Sequence, residues 1–388
     1  MTGRIVIVGG GIIGSCTAYH LALAGAAADV VVVEPDPTYE FAATPRAVGG
    51  IRLQHAIPEN VELSLYGDAV YSNFAEQGTG GAVQYDPQFY RMGFLFCVAG
   101  PREVARLQLI ADMLAGRGVE VHLLECHALR ERYPSFRWDD VDAATLTPAD
   151  GQIDPNAALM GFRRAAEGRG VAYRRDRVVA LDTERGRVTA ARLESGTVLP
   201  VDTLVNAANC WAASIGVMAG IALPVEAKRR QTFQFDTQTA IEPIPAIRYA
   251  SGFAMRRLRQ GFLTGYTDPA EKPGLRWDLD HSVFEERLWP ALAEHSAAFE
   301  AVKMKGGWVG HYDMSRLDGN MILGRIPSLP NFIVAAGFSG HGLQHAPAVG
   351  RAIKELILDG GFRTIDLSPF SYQRILDDRP LEDAGPTA

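Results

Sequence analysis

"RIVIVGGGIIGSCTAYHLALAGAAADVVVVE", residues Arg4 to Glu34, decides the fold. Ile5 to Val8 is a continuous apolar, β-branched run, the pattern of a strand buried on both faces. Gly9, Gly11 and Gly14 then fit G-x-G-x-x-G. A helix is predicted after them, with Ile13, Thr17, His20, Leu21 and Ala24 on one side and Gly25 as its stop. Val30 to Val33 is a second buried strand, ending at Glu34. In this unit Gly9 permits the tight turn, Gly11 lets backbone approach a pyrophosphate, and Gly14 lets helix lie close to strand. The helix start offers unpaired N–H groups and partial positive charge to phosphates. An acid at Glu34 can accept from ribose hydroxyls, which favours FAD or NAD over NADP.

The 388 residues exceed one small core and are enough for two domains. With 47% hydrophobic and 21% charged residues, the balance is that of an ordinary globular protein. A net charge of −7, with no polybasic block, argues against nucleic acid or an anionic membrane as partner. No run approaches the length of a membrane span. Cys16, Cys97, Cys126 and Cys210 form no C-x-x-C pair, show no metal-ligating spacing, and read as small buried hydrophobes. The chain opens on the strand at Arg4, leaving no room for a signal peptide, so a cytoplasmic location is expected.

Further along, a helical run is predicted from Glu59 to Gln77, a strand over Tyr90–Val98 and a helix over Arg102–Ala115. Asp154 and Pro155 read as the cap and first residue of another helix. Val178–Leu181 and Arg187–Leu193 read as antiparallel strands. "TLVNAANCWAASIGVMAG" gives a buried strand, a tight turn and a helix. Residues 222–310 carry short strands between Pro- and Gly-bearing loops, an antiparallel sheet by pattern. "AAGFSGHGLQHAPAVGRA", Ala335 to Ala352, is a glycine-rich loop leading to a helix expected to begin near Pro347. A βαβ start, β-rich insertions and a closing nucleotide-type loop together imply an α/β (α+β) two-domain fold. A Rossmann-like nucleotide-binding domain, FAD-binding if the resemblance given next holds, would be built from 1–80, 140–220 and 305–375. An inserted antiparallel-sheet substrate domain would take 81–139 and 221–304. A contiguous NAD dehydrogenase domain would leave the late loop idle.

These segments resemble the D-amino-acid-oxidase-like superfamily of FAD-dependent oxidoreductases, in the branch of the sarcosine oxidase β subunit and the dimethylglycine and proline dehydrogenases. The resemblance rests on the first motif, "TPRAVGGIRLQHAIPENVELS", "DGQIDP", "VNAANCWAASIG" and "GRIPSLPNFIVAAGFSGHGLQHAPAVGRAI". It implies FAD with the ribose on Glu34 and the pyrophosphate over Gly9, Gly11, Ile13 and Gly14. Thr44 and Arg46 would hold the phosphate and flavin side, and Val178 would meet adenine through its backbone. Ala207 and Ala208 would pass beneath the pyrophosphate, with Trp211 nearby. Gly337, Gly340, His341, Gly342, Leu343 and Gln344 would line the isoalloxazine. Backbone N–H groups of Gly340–Gln344 could then stabilise negative charge on the reduced ring.

The resemblance also implies oxidation of the C–N bond of a small amino acid, with a secondary amine such as an N-substituted glycine as the leading substrate. Hydride would pass to flavin N5, and the imine would hydrolyse. O2 or an electron-transfer acceptor would reoxidise the cofactor. A D-amino acid or cyclic imino acid on the same fold is an alternative, as is a non-catalytic FAD-binding assembly factor. Arg52 is the first choice for a carboxylate clamp and Arg256 the second. Arg257 and Arg259 have near-equal claims to Arg256, although strand alternation sends Arg256 and Arg257 to opposite faces. Tyr249, Tyr266 and Tyr312 are candidates for covering the amine or a side-chain pocket; His55, His311 and His345 are weaker ones. Gln344 stands where monomeric sarcosine oxidases carry a lysine. Gly310 stands where they attach flavin to cysteine, so non-covalent FAD is expected.

Overall fold

Strand Ile5–Val8 lies inside a six-stranded sheet, hydrogen-bonded to Val30–Glu34 on one side and Thr203–Asn206 on the other, both parallel to it. Ala172–Arg175 and Leu329–Ala336 extend the parallel order, and Ile322–Ile326 closes one edge antiparallel. The computed structural model describes residues 3–81 and 86–381. Residues 1–2 and 82–85, inside the expected domain segments, lie outside those described.

The continuous apolar runs are explained by burial on both faces. Ile5, Ile7, Val30 and Val32 pack toward the helices Ile12–Leu23, Pro155–Glu167 and Gly342–Leu358. Val6, Val8, Val31 and Val33 pack toward a three-stranded sheet of residues 178–200 and the helix Ala212–Met218. Helix Ile12–Leu23 is buried from Ile12 through Ala22, so the expected single apolar side is a helix enclosed all round. Its last residue and Ala24 are exposed, so Ala24 is not inward as expected.

A second, eight-stranded sheet takes its strands from residues 94–147 and 225–315. Its pairs are antiparallel except Phe94–Val98 with Ala246–Tyr249. The strand Ala143–Thr147 belongs to this sheet, and the long strand Val302–Ser315 runs across residue 305. The strand expected over Tyr90–Val98 is two pieces: Tyr90–Arg91 pairs with Gly151–Gln152, and Phe94–Val98 pairs with Ala143–Thr147. The break falls at Gly93, which has φ of +75°. There the Met92 and Gly93 N–H groups both donate to the Asp150 carbonyl.

The late helix begins at Gly342, with Pro347 inside it rather than in its first turn. A proline there leaves the carbonyl four residues earlier without its helical donor. That carbonyl, of Leu343, accepts from the Tyr71 hydroxyl at 2.7 Å. Among the described residues no helix is long and apolar enough to cross a membrane, and no group of side chains is placed to hold a metal ion.

Candidate functional site

A cleft of about 740 Å3 runs from the first glycine turn to the face of the eight-stranded sheet. At one end, Gly9 has φ of +99°, and a Cβ on it would lie 2.5 Å from the Ala207 carbonyl oxygen. A Cβ on Gly14 would overlap the Gly9 carbonyl oxygen. Gly11 differs: a Cβ there would meet only the Thr44 hydroxyl, at 3.8 Å. Nothing in the protein forbids a side chain at Gly11, and the space it would enter is the cleft. Thr44 Oγ1 accepts from the Ile12 N–H at 3.3 Å, tying the loop to the helix start.

Glu34 closes this end. Its carboxylate accepts from the Gly10 and Asp36 N–H groups at 2.8 and 2.9 Å. Burial raises its pKa, against the lowering by those N–H groups. Ile13, Arg46, Val178, Ala207 and Trp211 also line the cleft. The Arg46 guanidinium donates to the Glu40 and Val309 carbonyls at 2.6 and 2.8 Å and lies 5.0 Å from the Trp277 ring centre. Asn209 Oδ1 and His311 Nδ1 are buried without a hydrogen-bond partner, on residues that line the cleft. A glycine floor, a helix start, a carboxylate and orphaned polar atoms fit a dinucleotide.

At the other end the late loop is fixed by Asp313, which is buried in the strand Val302–Ser315. Its carboxylate accepts from the Gly337 and Phe338 N–H groups at 2.7 and 3.2 Å, and its carbonyl accepts from the Ser339 N–H at 3.0 Å. Burial pushes the Asp313 carboxyl up to about 6, although both N–H bonds pull it down. Gly340 has φ of +96°, and a Cβ on it would lie 2.5 Å from the Tyr312 ring. Gly340, His341, Gly342, Leu343 and Gln344 line the cleft; Gly337 and Gly14 stand behind it as supports.

Arg52 joins this loop to the rest. Its N–H donates to Gln344 Oε1 at 3.1 Å, its Nη1 to the Gln54 carbonyl at 2.5 Å, and its Nη2 lies 2.6 Å from His341 Nε2. The Phe96 ring centre is 5.4 Å from the guanidinium carbon. His55, His341 and His345 pack ring against ring, 5.2 to 5.8 Å apart. Burial, then the Arg52 charge, depresses the pKa of all three, with His345 at about 3. They are neutral rings at ordinary pH. His341 stands just before helix Gly342–Leu358 without a side-chain capping bond, while His345 bonds Ser64 Oγ at 3.1 Å inside the helix packing.

The sheet face presents arginines. Arg256 lines the cleft and donates to the Val48 carbonyl at 3.3 Å, and burial lowers its pKa to about 10. Arg257 points the other way, to the Ile241 and Glu242 carbonyls, as alternation requires. Tyr312 lines the cleft under the Arg230 guanidinium, 4.8 Å from its ring centre. Tyr249 does not line it. Its parity on Ala246–Tyr249 turns it into the opposite core, stacked 4.0 Å from His295, while Arg248 takes the cleft side. Tyr266 packs in that same core, beside Arg287. Arg230 and Arg248 were not singled out from sequence. "RRQTFQFD" shows two adjacent arginines, but alternation alone does not say which one faces inward.

The family described as FAD dependent oxidoreductase, DAO, matches residues 4–356. The chain is 34% identical over 417 residues to FAD-dependent oxidoreductase domain-containing protein 1 of Xenopus laevis, covering 97% of this chain and 83% of that one. It is 26% identical to the mitochondrial sarcosine dehydrogenase of Mus musculus, covering 92% of this chain and 40% of that longer protein. Among solved structures, L-proline dehydrogenase from P. horikoshii superposes with a TM-score of 0.86 at 25% identity, over 98% of this chain and 99% of that one. The chain belongs to the DAO family of FAD-dependent oxidoreductases, and FAD is its cofactor.

Proposed function

We propose that this chain oxidises the C–N bond beside the carboxylate of a small secondary amino acid. One observation carries the reading: Arg52 reaches the glycine-rich loop and the arginine-bearing sheet face within one cleft. Bound FAD supplies a two-electron acceptor for the hydride leaving the α carbon. The protein's residues do the placing. Arg52 holds the substrate carboxylate as a fork, and Gln344 holds the Arg52 backbone. The cleft is rich in guanidinium charge, which disfavours a protonated amine and keeps the nitrogen lone pair available. No side-chain base is needed. The iminium product takes up water and splits into an amine and an oxo acid.

A cysteinyl link to the cofactor is no part of this reading, as no cysteine is among the described residues lining the cleft. The six-stranded sheet serves FAD and the eight-stranded sheet serves substrate. A cyclic secondary amino acid is a second reading, favoured by the likeness to L-proline dehydrogenase. Anaerobic titration with N-alkylglycines and with proline tests both: bleaching of the flavin absorbance is expected with one class. Intact absorbance with every secondary amino acid would overturn the proposal. Peroxide formed on readmitting air would identify O2, rather than a protein acceptor, as the oxidant.

A further inference from the structure

The eight-stranded sheet offers the cleft one cross-strand row: Thr232, Gly265, Ala254, Arg248 and Phe96 stand opposite one another in register. Its middle members are small and leave a depression. Alternation puts Arg230, two before Thr232, and Arg256, two after Ala254, on the same face. Three guanidiniums therefore surround one hollow, and Tyr312 lies near enough to enter the electrostatics of all three.

Their hydrogen-bond partners within the protein are neutral. Arg230 Nη1 donates to the Arg229 carbonyl at 3.0 Å and its Nε is buried without a partner; Arg248 Nη2 donates to Thr267 Oγ1 at 3.3 Å; Arg256 Nη1 donates to the Val48 carbonyl at 3.3 Å. Among the described residues, Arg230, Arg248 and Arg256 form no ion pair with a carboxylate. The contrast is next door, where Arg229 pairs with Glu271 and Asp278 at 3.3 and 2.7 Å. Arg229 thus has carboxylates in direct contact, whereas Glu271 and Asp268 act on Arg230 only from a distance. Half-buried charges that face a cleft with no carboxylate in contact call for an anion from outside.

One carboxylate does not neutralise this hollow, and Arg52 has already been given the α-carboxylate. We infer that the substrate carries a second oxyanion, a carboxylate or a phosphate, seated among Arg230, Arg248 and Arg256. This rests on the amine-oxidation reading for the nature of the substrate. The substrate class is an anionic N-substituted or side-chain-extended amino acid with two negative groups and a neutral amine at the reacting centre.

Three thioether analogues, in which sulfur replaces the amine nitrogen, test it on the holoenzyme: (methylthio)acetate, thiodiacetate and (phosphonomethylthio)acetate. Binding is read from the perturbed flavin absorbance and by calorimetry. At least one dianion is expected to bind tenfold or more tightly than the monoanion, and the tighter one names the second group. Arg248→Gln and Arg256→Gln are each expected to remove most of that advantage. Equal affinities for all three analogues, or an advantage untouched by both substitutions, would overturn the inference. The analogues are not oxidised, so a failure of amine oxidation leaves this readout intact, and equal affinities would leave amine oxidation standing.

Discussion

Arg52 Nη2 lies 2.6 Å from His341 Nε2, joining the loop after the first nucleotide unit to the last glycine-rich segment. A guanidinium only donates, so the imidazole nitrogen accepts and His341 carries its proton on Nδ1. Arg52→Ala removes both this link and the proposed carboxylate clamp. Binding of (methylthio)acetate is expected to weaken by an order of magnitude or more, because losing one partner of a buried charge pair costs about 2–5 kcal/mol. Titration of the flavin absorbance measures it, and an unchanged dissociation constant would remove Arg52 from the site.

Gly14 and Gly11 separate fold from cofactor. Gly14→Ala drives a methyl into the Gly9 carbonyl and should destabilise by about 1–3 kcal/mol or more, read from denaturant unfolding of the apoprotein. Gly11→Ala meets only the Thr44 hydroxyl at 3.8 Å, so apoprotein stability should hold while FAD affinity falls at least tenfold. Wild-type FAD affinity in Gly11→Ala would contradict the placement of the pyrophosphate.

Tyr71 and Pro347 are coupled through the Leu343 carbonyl. Tyr71→Phe leaves that buried oxygen unsatisfied, a cost of about 1–3 kcal/mol. Pro347→Ala restores an N–H to the helix, and in that background the same tyrosine change should cost less than about 1 kcal/mol. A double-mutant cycle by chemical denaturation checks it; additive effects would contradict the compensation.

His345 makes stability pH-dependent. Its folded pKa of about 3 lies below its ordinary value of 6.5. Between those values the unfolded chain binds the proton and the folded one does not. The His345 contribution to stability is therefore full above about pH 6.5 and declines as pH falls toward 3. His345→Gln should flatten the slope across that window by up to about 1.4 kcal/mol per pH unit. The raised Asp150 and Asp313 carboxyls act in the opposite direction, but they are common to both proteins and cancel in the comparison. Parallel pH–stability curves for the two proteins would contradict the buried neutral ring.

Much of the nucleotide half was legible because its signals are local. The β-branched runs, the three glycines and Glu34 lie within one short βαβ unit, and each element needs only its neighbours to be recognised. The late loop was legible by composition. Its helix start was misplaced because the group that tolerates Pro347 in the interior, the Tyr71 hydroxyl, sits in a distant helix. The arginine-lined hollow was mostly hidden. A strand's two faces are apparent from alternation, but which one meets the cleft depends on pairing between residues far apart in sequence. That left Arg256 and Arg257 equivalent, overlooked Arg230 and Arg248, and put Tyr249 in the site when its parity sends it to the opposite core.

The most direct test of the central claim is a crystal structure of the FAD complex. The account predicts the diphosphate over Gly9–Ile13, the ribose at Glu34, and the isoalloxazine against Gly340–Gln344 with its free face toward Arg52 and the arginines of the sheet. A ring bound away from the late loop, or with that face turned from the sheet, would contradict it.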